Sequence, residues 1–421
     1  MYKKHVLSNG LRIISNHMPD KQSVALGIWI NVGGRYEMQK NKGMSHFLEH
    51  LLFKGSKKYS CRAIKESIEG IGGSLNGFTS EEMTCYLVKI PAKYQNLAFE
   101  VLSDMVLNPV LPKLEIEKEK TVILEEIKLY RDLPQSYVHE LLDELLWPDQ
   151  PLGKPVIGTA ESVGAVDKEE LSLFKNNFYT PVNMVVSAVG CLDQARLVKL
   201  ATKAFSSKEE SDKNVFTSAI EAQSKPQLKV FHKETEQTHL ALGFHSFKRG
   251  HALRHAQGLL HVILGANMSS RLFNEVREKR GLAYEIGTQV KRFMDTGAFI
   301  VHAGIDNRKV DEALKLILKE LSKIRRNPVT KDEFNRAKEF YLGQLLLGLE
   351  DTLEHMLWIG ETTVTLDKVY SLEEIIKEVK EVKIEDLQEV ANCIFERNKL
   401  NLALIGPLKD KEQHIYKQLE L

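Results

Sequence analysis

Residues 166–192 (VDKEELSLFKNNFYTPVNMVVSAVGCL) and 382–408 (VKIEDLQEVANCIFERNKLNLALIGPL) repeat one pattern at a constant offset of 216 residues. The offset pairs Val166 with Val382, Glu170 with Asp386, Leu171 with Leu387, Gly190 with Gly406 and Leu192 with Leu408. In both stretches a helical spacing of apolar residues leads into an apolar strand that ends in glycine. A shorter echo, Asn108-Pro109-Val110 and Asn327-Pro328-Val329, recurs at an offset of 219, each time just ahead of a charged helical run. The chain therefore reads as two diverged copies of one domain.

Outward from the repeat, the first copy opens with strands. His5 to Leu7 and Leu11 to Ser15 flank an Asn9-Gly10 turn, and an apolar run from Val24 to Val32 ends at Gly33-Gly34. Helical patterns follow near 43–54, 61–71, 93–107 and 113–130, with another strand pair between Ser74 and Ile90. Strands and helices interleave, which predicts an α+β fold. Residues 206–225 are polar, charged and aperiodic, as suits a linker. The expected organisation is a first domain over 1–205, a linker over 206–227 and a second domain over 228–421.

Composition narrows the function classes. With 421 residues, 43% of them apolar and 27% charged, the chain has ample material for two cores and no compositional case for disorder. Lys plus Arg (58) nearly cancels Asp plus Glu (57), and a net charge of +1 gives no general attraction to polyanions, so no nucleic-acid partner is expected. No segment approaches the roughly 18 uninterrupted apolar residues of a membrane span, and the opening MYKKHVLSNGLRII lacks the apolar core of a secretion signal. A cytoplasmic chain without membrane insertion is the expectation. Cys61, Cys85, Cys191 and Cys393 are widely separated, which favours reduced thiols over a disulfide framework or a thiolate metal site.

The chemistry concentrates in residues 43–53 (GMSHFLEHLLF). At about 100° per residue, His46, Glu49, His50 and Phe53 share one helix face, while Phe47, Leu48, Leu51 and Leu52 take the other. Two imidazoles one turn apart can grip one metal ion, and a carboxylate beside them can reach a water on it. Chance alone yields about 0.5 His pairs at this spacing in such a chain, but only roughly 0.04 with the added Glu, so Glu49 gives the pattern its weight.

A third ligand has to come from another element, and residues 115–130 (EIEKEKTVILEEIKLY) are the best source. Glu119 and Glu126 fall seven residues apart in the stripe formed by Val122, Ile123, Ile127 and Tyr130, whereas Glu117, Lys120, Glu125 and Lys128 point elsewhere. Carboxylates in an apolar stripe need a partner. Glu126 is assigned to the metal and Glu119 to a supporting position that orients a ligand. A rival pair, His251 and His255 on an expected helix, has Arg254 where the first has Glu49, and arginine offers neither ligand nor base.

On these residues the sequence resembles the inverted-motif zinc metallopeptidases of the pitrilysin and insulysin family, above all the branch of the mitochondrial processing peptidases and their bacterial relatives. The resemblance spans nearly the whole chain and rests on HFLEHLLFKG (46–55), EKEKTVILEEI (117–127) and SSRLFNEVREKRGLAYEI (269–286). It implies two homologous domains, each a mainly antiparallel sheet packed against helices, together forming half of a clamshell. It implies one zinc ion per chain held by His46, His50 and Glu126, with Glu49 as general base and Glu119 as supporting acid. Arg277 and Tyr284 match the family's pair that contacts substrate near the zinc. Residues 72–79 (GGSLNGFT), with Asn76 and Phe78, resemble the edge strand along which the peptide lies, with Gly77 where relatives often carry alanine.

The resemblance also implies a zinc-dependent endopeptidase acting on unfolded peptides or precursor segments. Because long single-chain members enclose substrate between two such halves, a homodimer is expected here, with a heterodimer as the alternative. The competing functional reading is a non-catalytic assembly subunit partnering an active relative, which the intact HxxEH and distal glutamate disfavour.

Overall fold

The computed structural model describes residues 2–206 and 212–421, so part of the expected linker, 207–211, lies outside the described residues. Two compact units divide the chain. The first holds six strands: β1 (Lys3–Val6), β2 (Arg12–His17), β3 (Ser23–Ile30), β4 (Ser74–Thr79), β5 (Thr84–Pro91) and β6 (Met184–Gly190), ordered β1-β2-β6-β3-β5-β4. The second holds five: β7 (Gln227–His232), β8 (Gln237–His245), β9 (Ala283–Arg292), β10 (Gly297–Asp306) and β11 (Asn401–Gly406), ordered β7-β11-β8-β10-β9. The two sheets share one topology, and β1 is an added edge on the first.

The 216-residue repeat marks equivalent elements. Helices Lys168–Phe178 and Ile384–Ile394 lead into β6 and β11, each parallel to the first shared strand of its sheet and antiparallel to the next. Both are mixed α/β layers in which mostly antiparallel sheets lie against helices, as expected.

In the first unit the central strand β3 is buried on both faces, which explains why it reads as a continuous apolar run rather than an alternation. Leu26, Ile28, Val88 and Val186 join one core, and Ala25, Trp29, Cys85, Val185 and Val189 join another with Met356 and Ile359. Those last two residues belong to helix Thr352–Leu366, from late in the chain. In the second unit helix Pro134–Leu146, from early in the chain, does the same: its Val138, Leu141 and Leu142 pack with Ala241, Ala298, Ile300 and Ala403.

The compact units accordingly include an exchange. Leu129–Lys154 belongs to the second unit and Leu346–Ser371 to the first, so neither is the contiguous stretch, 1–205 or 228–421, that a simple succession of domains describes. The end of the expected linker is fastened by specific contacts. In the first unit Arg35, paired with Glu82 at 2.7 Å and buried with it, carries the Phe216 ring 3.9 Å from its guanidinium. In the second unit the Ile220 N–H donates to Gln150 Oε1 at 2.7 Å.

Contact between helix 352–366 and its sheet is close. Trp29 Nε1 donates to Ser187 Oγ at 2.8 Å, and Gly360 lies so near the Trp29 ring that a Cβ there would overlap indole atoms. Gly360→Ala is expected to destabilise the chain by about 1–3 kcal/mol through overpacking. Thermal unfolding followed by calorimetry would show the lowered midpoint, and an unchanged midpoint would mean that the helix sits more loosely than described.

Candidate metal centre

Helix Met44–Leu52 begins at Gly43, whose φ of 92° lies in the left-handed region and whose Cβ, if present, would sit 2.6 Å from the Ile157 carbonyl oxygen. Its first N–H groups find an acceptor from outside: the buried Glu37 carboxylate accepts from the N–H of Gly43 (2.8 Å) and of Ser45 (2.6 Å). Phe47, Leu48, Leu51 and Leu52 are fully buried, while His46, Glu49 and His50 are half-buried on the opposite face. The amphipathic split is the one the spacing predicts.

Helix Lys113–Asp132 brings in the carboxylates. Glu126 Oε2 lies 3.6 Å from His50 Nε2 and 3.9 Å from His46 Nε2, and the two imidazole centroids are 4.6 Å apart. One ligand atom from each of His46, His50 and Glu126 falls within 4.8 Å of the others, and this is the one such metal-competent group among the described residues. Three ligands about 2.1 Å from a tetrahedral ion would be roughly 3.4 Å apart, so the donor set, two imidazole nitrogens and a carboxylate oxygen, fits zinc.

Glu119 is nearly fully buried and meets a base on each oxygen: His50 Nδ1 at 3.0 Å and Lys54 Nζ at 2.5 Å. The first contact fixes the His50 ring so that Nε2 points away from Glu119, the arrangement a metal-ligating imidazole requires. Lys54 is not singled out by the sequence reading, because it lies two residues past the end of the helix, where a wheel no longer places side chains. The stripe around the glutamates is also narrower than expected. Ile116, Ile123 and Ile127 are buried, but Val122 and Tyr130 are 48% and 41% exposed, because a wheel orders residues by angle without fixing where the core ends.

Burial dominates the electrostatics. It pushes the Glu49 carboxyl above the ordinary carboxylate range, opposed by a hydrogen bond from Thr79 and by His50, with Glu126 adding to the rise. Burial likewise raises Glu126, opposed by His50. His46 is held down to about 4 by burial and by the neighbouring His50. Near neutrality His46 thus presents a lone pair rather than a positive charge.

β4 borders this helix as the edge of its sheet, paired on one side to β5. Asn76 is exposed, with its Oδ1 accepting from the Gly77 N–H at 2.9 Å, and Phe78 packs edge-to-face on Trp29 at 5.7 Å. Phe78 therefore has a packing role, whereas Asn76 stands at the open edge. In the second unit Arg277 lies over the rings of Phe273 (4.7 Å) and Tyr284 (5.7 Å), and Tyr284 is 75% exposed. The expected Arg277 and Tyr284 pair is thus adjacent. The rival histidines do not form a pair: helix Arg254–Leu264 starts after His251, which stacks on Phe247 at 4.1 Å, while His255 Nε2 meets Glu378 at 2.8 Å.

Known proteins resemble this chain along nearly its whole length. The insulinase family, peptidase family M16, matches residues 12–160, and the peptidase M16 inactive domain matches residues 165–341. A Bacillus subtilis protein named uncharacterized zinc protease YmxG is 36% identical over 407 residues, covering 97% of this chain and 98% of its own. An uncharacterized zinc protease of Streptomyces coelicolor is 35% identical over 416 residues, covering 97% of this chain and 90% of its own. Among solved structures, a protease from Helicobacter pylori shares the fold with a TM-score of 0.91 at 23% identity, over 97% of this chain and 99% of that one. The peptidase M16 inactive domain from Pseudomonas fluorescens does so with 0.89 at 19%, over 96% and 98%. This chain belongs to the insulinase (M16) family of peptidases and their relatives.

The depressed His46 has a measurable consequence. A free imidazole takes up its proton near 6.5 and the folded one only near 4, so the unfolded chain binds more protons between those values. Metal-free protein is expected to lose stability as pH falls through that window, with no further loss from this group below it. In denaturant titrations His46→Asn should flatten the decline; an identical slope in both proteins would remove His46 as its source.

Proposed function

We propose that this chain is a zinc-dependent endopeptidase that cleaves unfolded peptides or precursor segments in the cytoplasm, working as a homodimer. The observation that carries the reading is the convergence of His46, His50 and Glu126 beside Glu49 on one helix face. Relatives named as zinc proteases along nearly the full chain support it. No helix among the described residues is long and apolar enough to cross a membrane. All four cysteines are free thiols, which suits a reducing compartment.

His46, His50 and Glu126 would hold one zinc ion, which when bound supplies Lewis acidity toward a scissile carbonyl and a nearby water. Glu49 takes the proton from the attacking water and returns it to the leaving amine. Its raised pKa fits both roles, since the carboxyl then gives up and regains a proton nearer neutrality. Glu119, held by Lys54, keeps His50 in the tautomer that offers Nε2. The open edge of β4 takes the peptide as an added strand, reading main chain rather than side chains. Arg277 and Tyr284, contributed across the dimer, stabilise the oxyanion of the tetrahedral intermediate.

Cleavage of a quenched fluorescent peptide library should be lost on chelation and return with zinc. In the zinc-loaded protein Glu49→Gln should retain the metal and lose about 10²–10⁴-fold in turnover, the usual contribution of a general base. Persistent turnover would take Glu49 out of that role, and a wild type that holds zinc but cleaves nothing would favour the assembly-subunit reading. Arg277→Ala should be impaired with normal zinc content. Mixing it with Glu49→Gln should recover activity, and no recovery after proven subunit exchange would rule out a shared site.

A further inference from the structure

Glu49 reaches its site on three rotatable side-chain bonds, and a base that swings freely spends little time in the productive pose. Strand β4 restrains it at two points. Gly77 lets the strand come so close that a Cβ there would lie 3.2 Å from Glu49 Cγ and 3.1 Å from Phe53 Cζ. Two residues on, and so on the same face of the strand, Thr79 Oγ1 donates to Glu49 Oε2 at 2.8 Å. Thr79 is itself well fixed. It is the last residue of β4, in register with Thr84, whose buried hydroxyl donates to the Val32 carbonyl at 2.9 Å, and its β-branch restricts the side-chain torsion that aims the hydroxyl.

We propose that Thr79 is a positioning residue for peptide hydrolysis: its hydroxyl occupies one oxygen of Glu49 and thereby fixes the direction in which the other accepts the proton of the attacking water. The inference rests on the zinc-peptidase reading and deepens it. The strand assigned to peptide docking is also the one that aims the base, so any ordering of β4 by a bound peptide passes through the Thr79 hydroxyl to Glu49.

Two substitutions separate the hydroxyl from the shape of the side chain. Thr79→Val keeps the branch and loses the donor; Thr79→Ser loses a methyl and keeps it. With zinc content and thermal midpoint measured on each, Thr79→Val is expected to lower kcat about tenfold or more while KM stays within about twofold. Thr79→Ser is expected to retain most of the wild-type kcat. Crystal structures of the zinc-loaded proteins should show the Glu49 carboxylate displaced in Thr79→Val alone. A wild-type kcat in Thr79→Val, an equal loss in Thr79→Ser, or an unmoved Glu49 carboxylate would each overturn the proposal. A zinc-loaded wild type that cleaves no peptide would defeat the peptidase reading instead, and the position of Glu49 in the structures would still decide the role of Thr79.

Discussion

A carboxylate withdrawn from water must be met by positive charge or by hydrogen-bond donors, and the candidate centre is organised around that requirement. Four glutamates crowd one end of the first unit, and each is met differently. Glu37 accepts the leading N–H groups of helix 44–52. Glu119 lies between Lys54 and His50. Glu49 accepts from Thr79, and Glu126 faces the two imidazoles. Of the two imidazoles that Glu126 faces, burial holds His46 unprotonated near neutrality, and burial also pushes the Glu126 carboxyl itself upward. A bound dication is what would complete its surroundings.

These contacts tie together elements far apart in sequence. Helix 44–52 meets the centre through His46, Glu49 and His50, helix 113–132 through Glu119 and Glu126, and strand β4 through Thr79, while the apolar faces of the two helices are fixed in one core and Phe78 on the far face of β4 packs on Trp29 in another. Core packing therefore sets the donor geometry, and the polar contacts refine it.

How much of this could be read in the sequence follows the range of each interaction. His46, Glu49 and His50 were legible because helical periodicity alone puts them on one face. Glu119 and Glu126 were legible because charged residues seven apart within an apolar stripe are costly, although the stripe lost Val122 and Tyr130 to solvent. Thr79 was not found, since a hydroxyl at a strand end gains its meaning only from a side chain thirty residues away. His251 was misplaced on a helix because the turn before Arg254 mimics helical spacing over a few residues. The duplicated topology was legible through the glycine-ended strands β6 and β11. The helix exchange was not, because an amphipathic helix announces that it needs an apolar surface and not which of two similar sheets will provide it.

That exchange bears on how the two halves can change over generations. Helix Pro134–Leu146 covers a face of the second sheet and helix Thr352–Leu366 covers a face of the first. After such a trade the copies are no longer spare parts of each other. The second copy has no HxxEH motif of its own, with Arg254 and His255 joined to Glu378 where the first copy has its donor cluster. Yet deleting it would strip Trp29, Val185 and Val189 of their cover. Reciprocal dependence of this kind keeps a copy under selection after its chemistry is gone, and frees its surface to acquire different work.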